Sequence, residues 1–189
     1  MEIAARVSSI AFSLWRRCYL KTMSVGTLVT LEEYLNTAYS PDREYVDGVV
    51  VERNVGERPH SLVQTRLTIL LARDYPRVFV WSELRTRTIK TRCRIPDICV
   101  TLHDSGTDVL EEPPSLVVEI LSRRDEMGEV LEKLEEYASI GVPNIWLFDP
   151  RRRKAYTFAG HALQEVTTAI ISATSPAIEV SLEELFRGL

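Results

Sequence analysis

Two carboxylates lie inside segments that otherwise have the pattern of buried β-strands. Asp97 belongs to "CRIPDICVTL", which covers residues 93–102, and Glu119 belongs to "SLVVEILS", which covers residues 115–122. An unpaired charge is costly to bury, so each acid requires a compensating partner. Two acids on neighbouring strands can share one divalent cation, and Mg²⁺ prefers hard oxygen ligands of this type. The pattern therefore favours a Mg²⁺ or Mn²⁺ site made by Asp97 and Glu119.

Such a site is suited to the hydrolysis of phosphodiester bonds. A cation bound to two carboxylates lowers the pKa of a water molecule and offsets the charge that develops on the phosphate. A lysine nearby would position the attacking water or stabilise the oxyanion. The sequence must then supply a lysine within reach of both acids.

The helices that would position these residues are indicated by apolar residues at helical spacing. One covers residues 61–74, and the clearest covers residues 125–140, with Asp125 as its cap and Gly141 at its end. A shorter helix begins after Thr30, because a glutamate three residues later completes a capping box.

The strands follow from β-rich runs and turn residues. Asp47-Gly48 between two such runs predicts a hairpin, residues 77–90 alternate as one strand would, and residues 144–150 form a further buried strand with a hairpin return. Strands pair first, and a helix then crosses to another buried strand. This order predicts an α/β domain with a mixed sheet.

The ordered set of motifs resembles the PD-(D/E)XK nuclease superfamily, and more closely the Uma-type restriction endonuclease family. The motifs are "EYVDGVVVE", a histidine that opens a helix, "RIPDICV", "LVVEILS" and "DEMGEVLEKLEEYASIGVPNIWLFDP", and they extend over roughly residues 27–186. The resemblance implies a restriction-endonuclease-like fold, in which helices flank a mixed β-sheet. It also implies a homodimer that cleaves DNA with Mg²⁺ or Mn²⁺.

The same resemblance assigns roles to individual residues. Asp97, Glu119 and the backbone carbonyl of Ile120 would bind the metal, and Lys133 and Glu44 would complete the catalytic set.

The lysine is displaced relative to the superfamily pattern. That pattern places it two residues after the second acid, where this chain has Leu121, and Lys133 on the following helix is the matching residue. At about 100° per residue, Lys133 falls on the flank of the apolar stripe, beside Tyr137 one turn later. From that flank it could reach over the sheet edge toward the acids.

Each candidate acid also has a purely structural interpretation. Asp97 follows a proline and could be a turn residue, and Glu119 could form a buried ion pair with Arg92 or Arg94. Glu44 could be a charge that protects an edge strand from aggregation.

The other candidates have alternatives of the same kind. Lys133 could form an exposed pair with Glu129, four residues earlier, worth a few tenths of a kcal/mol. His60 and Gln64 open the first long helix and could belong to the site, cap the helix or lie on the surface.

The composition is that of an ordinary soluble domain. The 189 residues are 45% hydrophobic and 26% charged, and the formal net charge of −4 gives no global basic signature of a nucleic-acid binder. Local basic clusters at Arg123–Arg124 and Arg151–Lys154 could contact phosphates or form solvated turns. Cys18, Cys93 and Cys99 are odd in number and lack a CxxC pair, so neither a disulfide framework nor a zinc site is indicated, and a cytoplasmic setting is expected.

Two other functions are compatible with the same residues. A non-catalytic nucleic-acid-binding or regulatory domain would keep the nuclease fold without turnover, and Leu121 in the usual lysine position favours it. In a protein-interaction module the acids would pair with arginines instead of a metal. Metal-dependent nicking of plasmid DNA separates the first from a nuclease, and calorimetric metal binding argues against the second.

We predict that residues 1–22 contribute little to the fold, and that the nuclease-like domain comprises residues 23–189. The first segment lacks helix caps, and its apolar run of nine residues is too short to span a membrane. A protein that starts at Met23 should keep its thermal midpoint within a few degrees of the full chain. A loss of well over about 1–2 kcal/mol in the free energy of unfolding would show that the segment packs on the domain.

Overall fold

The computed structural model describes residues 28–54 and 56–189. The predicted extension of residues 1–22 and the boundary at Met23 lie outside the described residues. Within the described part, no helix is long and apolar enough to cross a membrane.

Helices and strands alternate irregularly along the chain. The helices are α1 (Leu31–Leu35), α2 (Arg58–Asp74), α3 (Met127–Ser139) and α4 (Leu182–Leu185). The strands of the first half are β1 (Glu44–Val46), β2 (Val49–Val51), β3 (Phe79–Ser82), β4 (Arg85–Ile89), β5 (Arg92–Arg94), β6 (Ile98–Thr101) and β7 (Val109–Leu110). Those of the second half are β8 (Leu116–Ile120), β9 (Ile145–Asp149), β10 (Lys154–Ala159), β11 (Ala162–Glu165), β12 (Ile170–Thr174) and β13 (Ala177–Ser181).

A six-stranded mixed sheet forms the centre of the domain, in the order β11-β10-β9-β8-β6-β3. Strands β8 and β9 are parallel, because α3 crosses between them, and the other neighbours are antiparallel. Apolar residues of α2 pack on one face, and the apolar stripe of α3 packs on the other. The predicted mixed sheet flanked by helices is therefore confirmed.

A second sheet has five strands in the order β2-β1-β5-β4-β7. The predicted hairpin is present as β1 and β2, and its turn residues Asp47 and Gly48 have φ of 50° and 95°. These positive angles suit an Asp-Gly turn because glycine adopts them without steric cost. Residues 95–97 connect β5 of this sheet to β6 of the six-stranded sheet. The chain thus changes sheets at the "IPD" segment.

Two predicted elements differ from the structure. Residues 77–90 form two strands instead of one, because Glu83 takes a positive φ of 56° and sends β3 and β4 to different sheets. Alternation of side chains continues through the break, so it gave no sign of the change. Helix α3 begins at Met127, and Asp125 does not cap it: its Oδ2 accepts the Ser122 N–H at 2.6 Å, and its Oδ1 accepts from Asn54 Nδ2 at 2.7 Å.

A buried ion network ties α3 to the five-stranded sheet. The guanidinium of Arg94, a residue only 5% exposed, donates from Nη1 to Glu44 Oε2 at 3.0 Å and from Nε to Glu136 Oε2 at 2.9 Å. Glu136 also accepts from Arg92 Nη1 and from Thr88 Oγ1. The network fixes where α3 lies along the sheet, and with it the positions of residues on the same helix.

We predict that Arg94→Met destabilises the fold by about 3–5 kcal/mol, because it removes one partner of a buried pair and leaves the carboxylates of Glu44 and Glu136 without it. Urea unfolding at neutral pH measures the change. The matched control is Arg43→Met, whose arginine pairs with Glu52 at the surface with 36% of its side chain exposed. The control should lose about 0–1 kcal/mol. An equally small loss for Arg94→Met would show that the network does not stabilise the fold.

Candidate active site

The antiparallel register of β6 and β8 brings the two strand acids together. Ile98 pairs with Val118, and the same register continued by one pair places Asp97 opposite Glu119. Ile98 and Val118 both pack on the α2 side of the sheet. Since side chains alternate between the faces of a strand, Asp97 and Glu119 point to the α3 side.

Asp97 is buried and is held by three groups from other elements. Its Oδ2 accepts the Ile120 N–H at 2.7 Å and lies 3.2 Å from His60 Nε2, and its Oδ1 accepts from Arg53 Nη2 at 3.2 Å. The carboxylate therefore bonds to groups distant in the sequence and not to its own turn. The interpretation of Asp97 as a simple turn residue does not account for these contacts.

Glu119 is equally buried but has less compensating charge. Its Oε1 accepts the phenol O–H of Tyr137 at 2.8 Å. Burial raises the pKa of Glu119 to about 7; the ammonium of Lys133 opposes this shift, and the carboxylates of Asp97 and Glu44 add to it. Glu119 thus has less positive charge around it than Glu44, which contacts both Lys133 and Arg94.

The arginine pairs considered for Glu119 do not form. Arg94 bonds to Glu44 and Glu136, and Arg92 bonds to Asp47 and Glu136 as well as to Glu132.

Lys133 reaches the acids from α3. Its Nζ lies 2.8 Å from Glu44 Oε1, and only 23% of the side chain is exposed. Burial lowers the pKa of Lys133, but Glu44 and Glu119 outweigh it, so the pKa is raised and the ammonium stays charged. The exposed pair with Glu129 is not how this lysine is placed. The predicted reach from the flank of the helix is the geometry observed.

Glu44 is an interior residue of the five-stranded sheet and is 2% exposed. Its strand β1 lies between β2 and β5, so it is not an edge charge. Burial raises the pKa of Glu44, but Lys133 and Arg94 lower it by more. The pKa is therefore lowered overall, and the carboxylate stays ionised. Its Oε1 also accepts the Ile95 N–H at 3.3 Å.

His60 and Gln64 both contact Asp97 from the first turns of α2. Gln64 Nε2 donates to the Asp97 backbone oxygen at 3.1 Å, and His60 faces the carboxylate. Burial lowers the pKa of His60, and the bond and charge of Asp97 raise it by more. Its Nδ1 is buried and has no hydrogen-bond partner in the described part of the chain. The backbone of Gly56 passes so close that a Cβ there would lie 2.7 Å from this nitrogen.

A cavity of about 100 Å³ joins the candidate residues. All four proposed catalytic residues line it, together with Ile120, Arg53 and His60.

The two basic clusters lie in different places. Arg123 and Arg124 border a neighbouring cavity of about 460 Å³. Arg151–Lys154 lie at the β9–β10 turn, where Arg152 pairs with Asp149 and Lys154 with Glu165. Sequence reasoning did not single out Arg53, which follows β2 and carries no motif.

The donor set fits a hard divalent cation. Asp97 and Glu119 supply carboxylate oxygens, and the Ile120 N–H points at Asp97, so its carbonyl lies on the same edge of the strand. Oxygen ligands of this kind, few in number, are what Mg²⁺ uses beside water and phosphate. In residues 28–54 and 56–189, no three His, Cys, Asp or Glu side chains already enclose an ion position.

Comparisons with known proteins give the family and the fold. The Uma2 family model, described as "Putative restriction endonuclease", matches residues 31–189. The crystal structure of a putative nuclease belonging to DUF820 from Anabaena variabilis ATCC 29413 is similar, with a TM-score of 0.73 and 20% identity over 84% of this chain and 97% of that chain. At 20% identity, this similarity shows a shared fold and nothing about the activity. A search of curated proteins gave no match.

We predict that Glu119→Gln stabilises the metal-free protein at high pH. The native pKa of Glu119 is about 7, above the roughly 4.3 of an unfolded glutamate. The stability of the native state is therefore unaffected by Glu119 below about pH 4, and it falls as pH rises from 4 through 7, because the buried carboxyl resists ionisation. The variant should be more stable than the wild type by about 1 kcal/mol near pH 5 and by about 3–4 kcal/mol at pH 8. Urea unfolding in EDTA at both pH values measures this.

Asp97→Asn is the matched comparison and should behave oppositely. It leaves the buried guanidinium of Arg53 without its anion and His60 without its partner, and the loss should be about 1–3 kcal/mol at both pH values. If Glu119→Gln were also destabilising at both, the negative charge of Glu119 would be compensated in the native state.

Proposed function

The chain belongs to the Uma2 family, whose description is "Putative restriction endonuclease", and on that premise we propose that it hydrolyses phosphodiester bonds in DNA with Mg²⁺ or Mn²⁺. One observation carries the proposal. Asp97, Glu119 and Lys133 come from a strand start, a strand end and a helix, and they meet at one cavity. Three groups of the right chemistry from three elements are hard to explain by packing alone.

The metal would be held by Asp97, Glu119 and the carbonyl of Ile120. Bound there, it would supply a hydroxide-like nucleophile at neutral pH and offset charge on the phosphate. Tyr137 keeps Glu119 oriented through its O–H, because one carboxylate oxygen is fixed and the other is left for the cation.

Lys133 would steady the attacking water or the scissile phosphate. Its charge is secured by Glu44, which also keeps the ammonium at the cavity wall. Glu44 is itself held by Arg94, so the lysine is positioned through the buried ion network. This arrangement replaces the lysine that the superfamily pattern expects where Leu121 stands.

DNA is the proposed substrate, and a symmetric homodimer is the proposed assembly. Arg123 and Arg124 border the cavity next to the site and would contact the phosphate backbone. A two-fold dimer would bring one centre to each strand of a duplex.

We predict that the wild type nicks supercoiled plasmid with Mg²⁺ and not in EDTA, and that Lys133→Met slows nicking by about 10²–10³-fold because it removes one positioned charge. Calorimetry should show metal affinity kept, since Lys133 is not a ligand. The matched control is Lys154→Met, whose lysine pairs with Glu165 at the surface away from the cavity. It should nick at the wild-type rate.

Loss of the Lys133–Glu44 pair also affects folding, so each variant's thermal midpoint is measured beside its activity. Full nicking by a folded Lys133→Met would reduce the lysine to an ion-pair partner. Metal binding without any nicking by the wild type, on plasmid or on oligonucleotides, would favour the non-catalytic nucleic-acid-binding domain.

A further inference from the structure

Arg53 lies where three cavities meet. It lines the cavity of about 100 Å³ that contains the candidate acids, the cavity of about 460 Å³ beside Arg123 and Arg124, and a third of about 250 Å³ beside Gln64. Only 16% of its side chain is exposed. Its guanidinium therefore separates the proposed metal site from the surface that leads to it.

The guanidinium is held by acids. Nη2 donates to Asp97 Oδ1 at 3.2 Å, and Nη1 lies 3.6 Å from Glu83 Oε2. Burial lowers the pKa of Arg53, but Asp97 and Glu83 raise it by more, so its charge is permanent. Neither contact is the parallel two-bond geometry that arginine forms with a carboxylate or phosphate at its strongest. The contact with Glu83 is also too long for a hydrogen bond.

Arg53 and a metal ion would occupy the same oxygen. Asp97 Oδ2 already accepts the Ile120 N–H at 2.7 Å and faces His60, which leaves Oδ1 as the oxygen with the least protein contact. Oδ1 is where Arg53 binds. A cation on Oδ1 therefore competes directly with the guanidinium, both for the lone pairs and by charge repulsion.

The adjoining cavity of about 460 Å³ needs the charge of Arg53. Its other charged residues are Arg123, Arg124, Glu52 and Glu57, which balance at two positive and two negative. Arg53 therefore decides whether this surface is neutral or positive. A phosphate in the cavity would offer the guanidinium the two parallel bonds that it does not make with Asp97 and Glu83.

We propose that Arg53 is the counter-ion of Asp97 in the metal-free protein and moves to a phosphate of the nucleic acid when a divalent cation binds. The inference rests on the proposed function, because it takes Asp97 as a metal ligand. If Arg53 moves in this way, the binding of the metal and the binding of the nucleic acid favour each other. By linkage, each raises the affinity for the other by the same factor.

The test compares wild type with Arg53→Gln, and Arg73→Gln is the control because Arg73 pairs with Asp74 at the surface and neither residue lines any of the three cavities. Mn²⁺ affinity is measured by calorimetry with and without a short DNA duplex. Duplex affinity is measured by fluorescence anisotropy at 4 °C with and without Mn²⁺, and gels check that the duplex stays intact.

Without DNA, Arg53→Gln should bind Mn²⁺ about tenfold tighter than the wild type, since the competitor for Oδ1 is gone. Without Mn²⁺, wild type and variant should bind the duplex equally, because Arg53 is occupied by Asp97. With Mn²⁺, the variant should bind about tenfold more weakly, and its salt slope should be smaller by about one. Arg73→Gln should follow the wild type throughout.

Equal loss of duplex affinity with and without Mn²⁺ would overturn the proposal, because Arg53 would then be a fixed phosphate contact. Unchanged Mn²⁺ affinity in Arg53→Gln would overturn it too, while the metal site of the proposed function stands. If the wild type binds no Mn²⁺, the proposed function fails and this inference fails with it. Arg53→Lys, which keeps the charge but not the fork, tests the same coupling should Arg53→Gln not fold: it should keep the metal competition and lose the gain in duplex affinity.

Discussion

Three carboxylates are buried where the two sheets meet, and the surrounding structure is organised around compensating them. Glu44 is paired with Lys133 and Arg94. Asp97 is paired with Arg53 and His60. Glu119 accepts the O–H of Tyr137, and the ammonium of Lys133 lies nearby. A buried ion without a partner costs several kcal/mol. The positively charged side chains therefore come from α3 (Lys133), from β5 before the "IPD" segment (Arg94) and from the loop after β2 (Arg53). Each of these elements is thereby placed relative to the others.

The displaced lysine follows from how β8 and α3 share the sheet face. Leu121 has the same side-chain parity as Glu119 and packs with the apolar cluster that includes Val130 and Leu134 of α3. An ammonium at position 121 would enter this apolar contact. Lys133 brings the charge from the opposite side of the cavity, where Glu44 stabilises it. Moving the lysine to the helix keeps the interface between β8 and α3 apolar.

The sequence was sufficient for those parts of the site that depend on regular geometry. The apolar strand pattern put Asp97 and Glu119 on two neighbouring buried strands, and helical periodicity put Lys133 beside Tyr137. The register that places the two acids opposite each other came from the structure. It was insufficient where the outcome depends on loops and on competition between side chains. Asp125 has the chemistry of a helix cap but accepts from Ser122 and Asn54 instead. Arg53 has no periodic neighbours, so its contact with Asp97 depends on a path through the loop that no local pattern specifies.

The two proposed metal ligands differ in the kind of compensation they have, and this difference suits a site that binds a cation reversibly. Asp97 is paired with one long side chain, Arg53, and one aromatic side chain, His60, and a cation could displace both. Glu119 faces a neutral phenol, and burial raises its pKa to about 7, so near neutral pH it would exchange a proton for a cation at little cost. If both acids were compensated like Glu44, with two cations within 3.0 Å, a divalent ion would have to break a complete ion pair to bind. If both resembled Glu119, their mutual repulsion would fall on the metal-free fold. One displaceable pair and one protonatable acid would allow the fold to exist without the proposed metal and still leave oxygens for it.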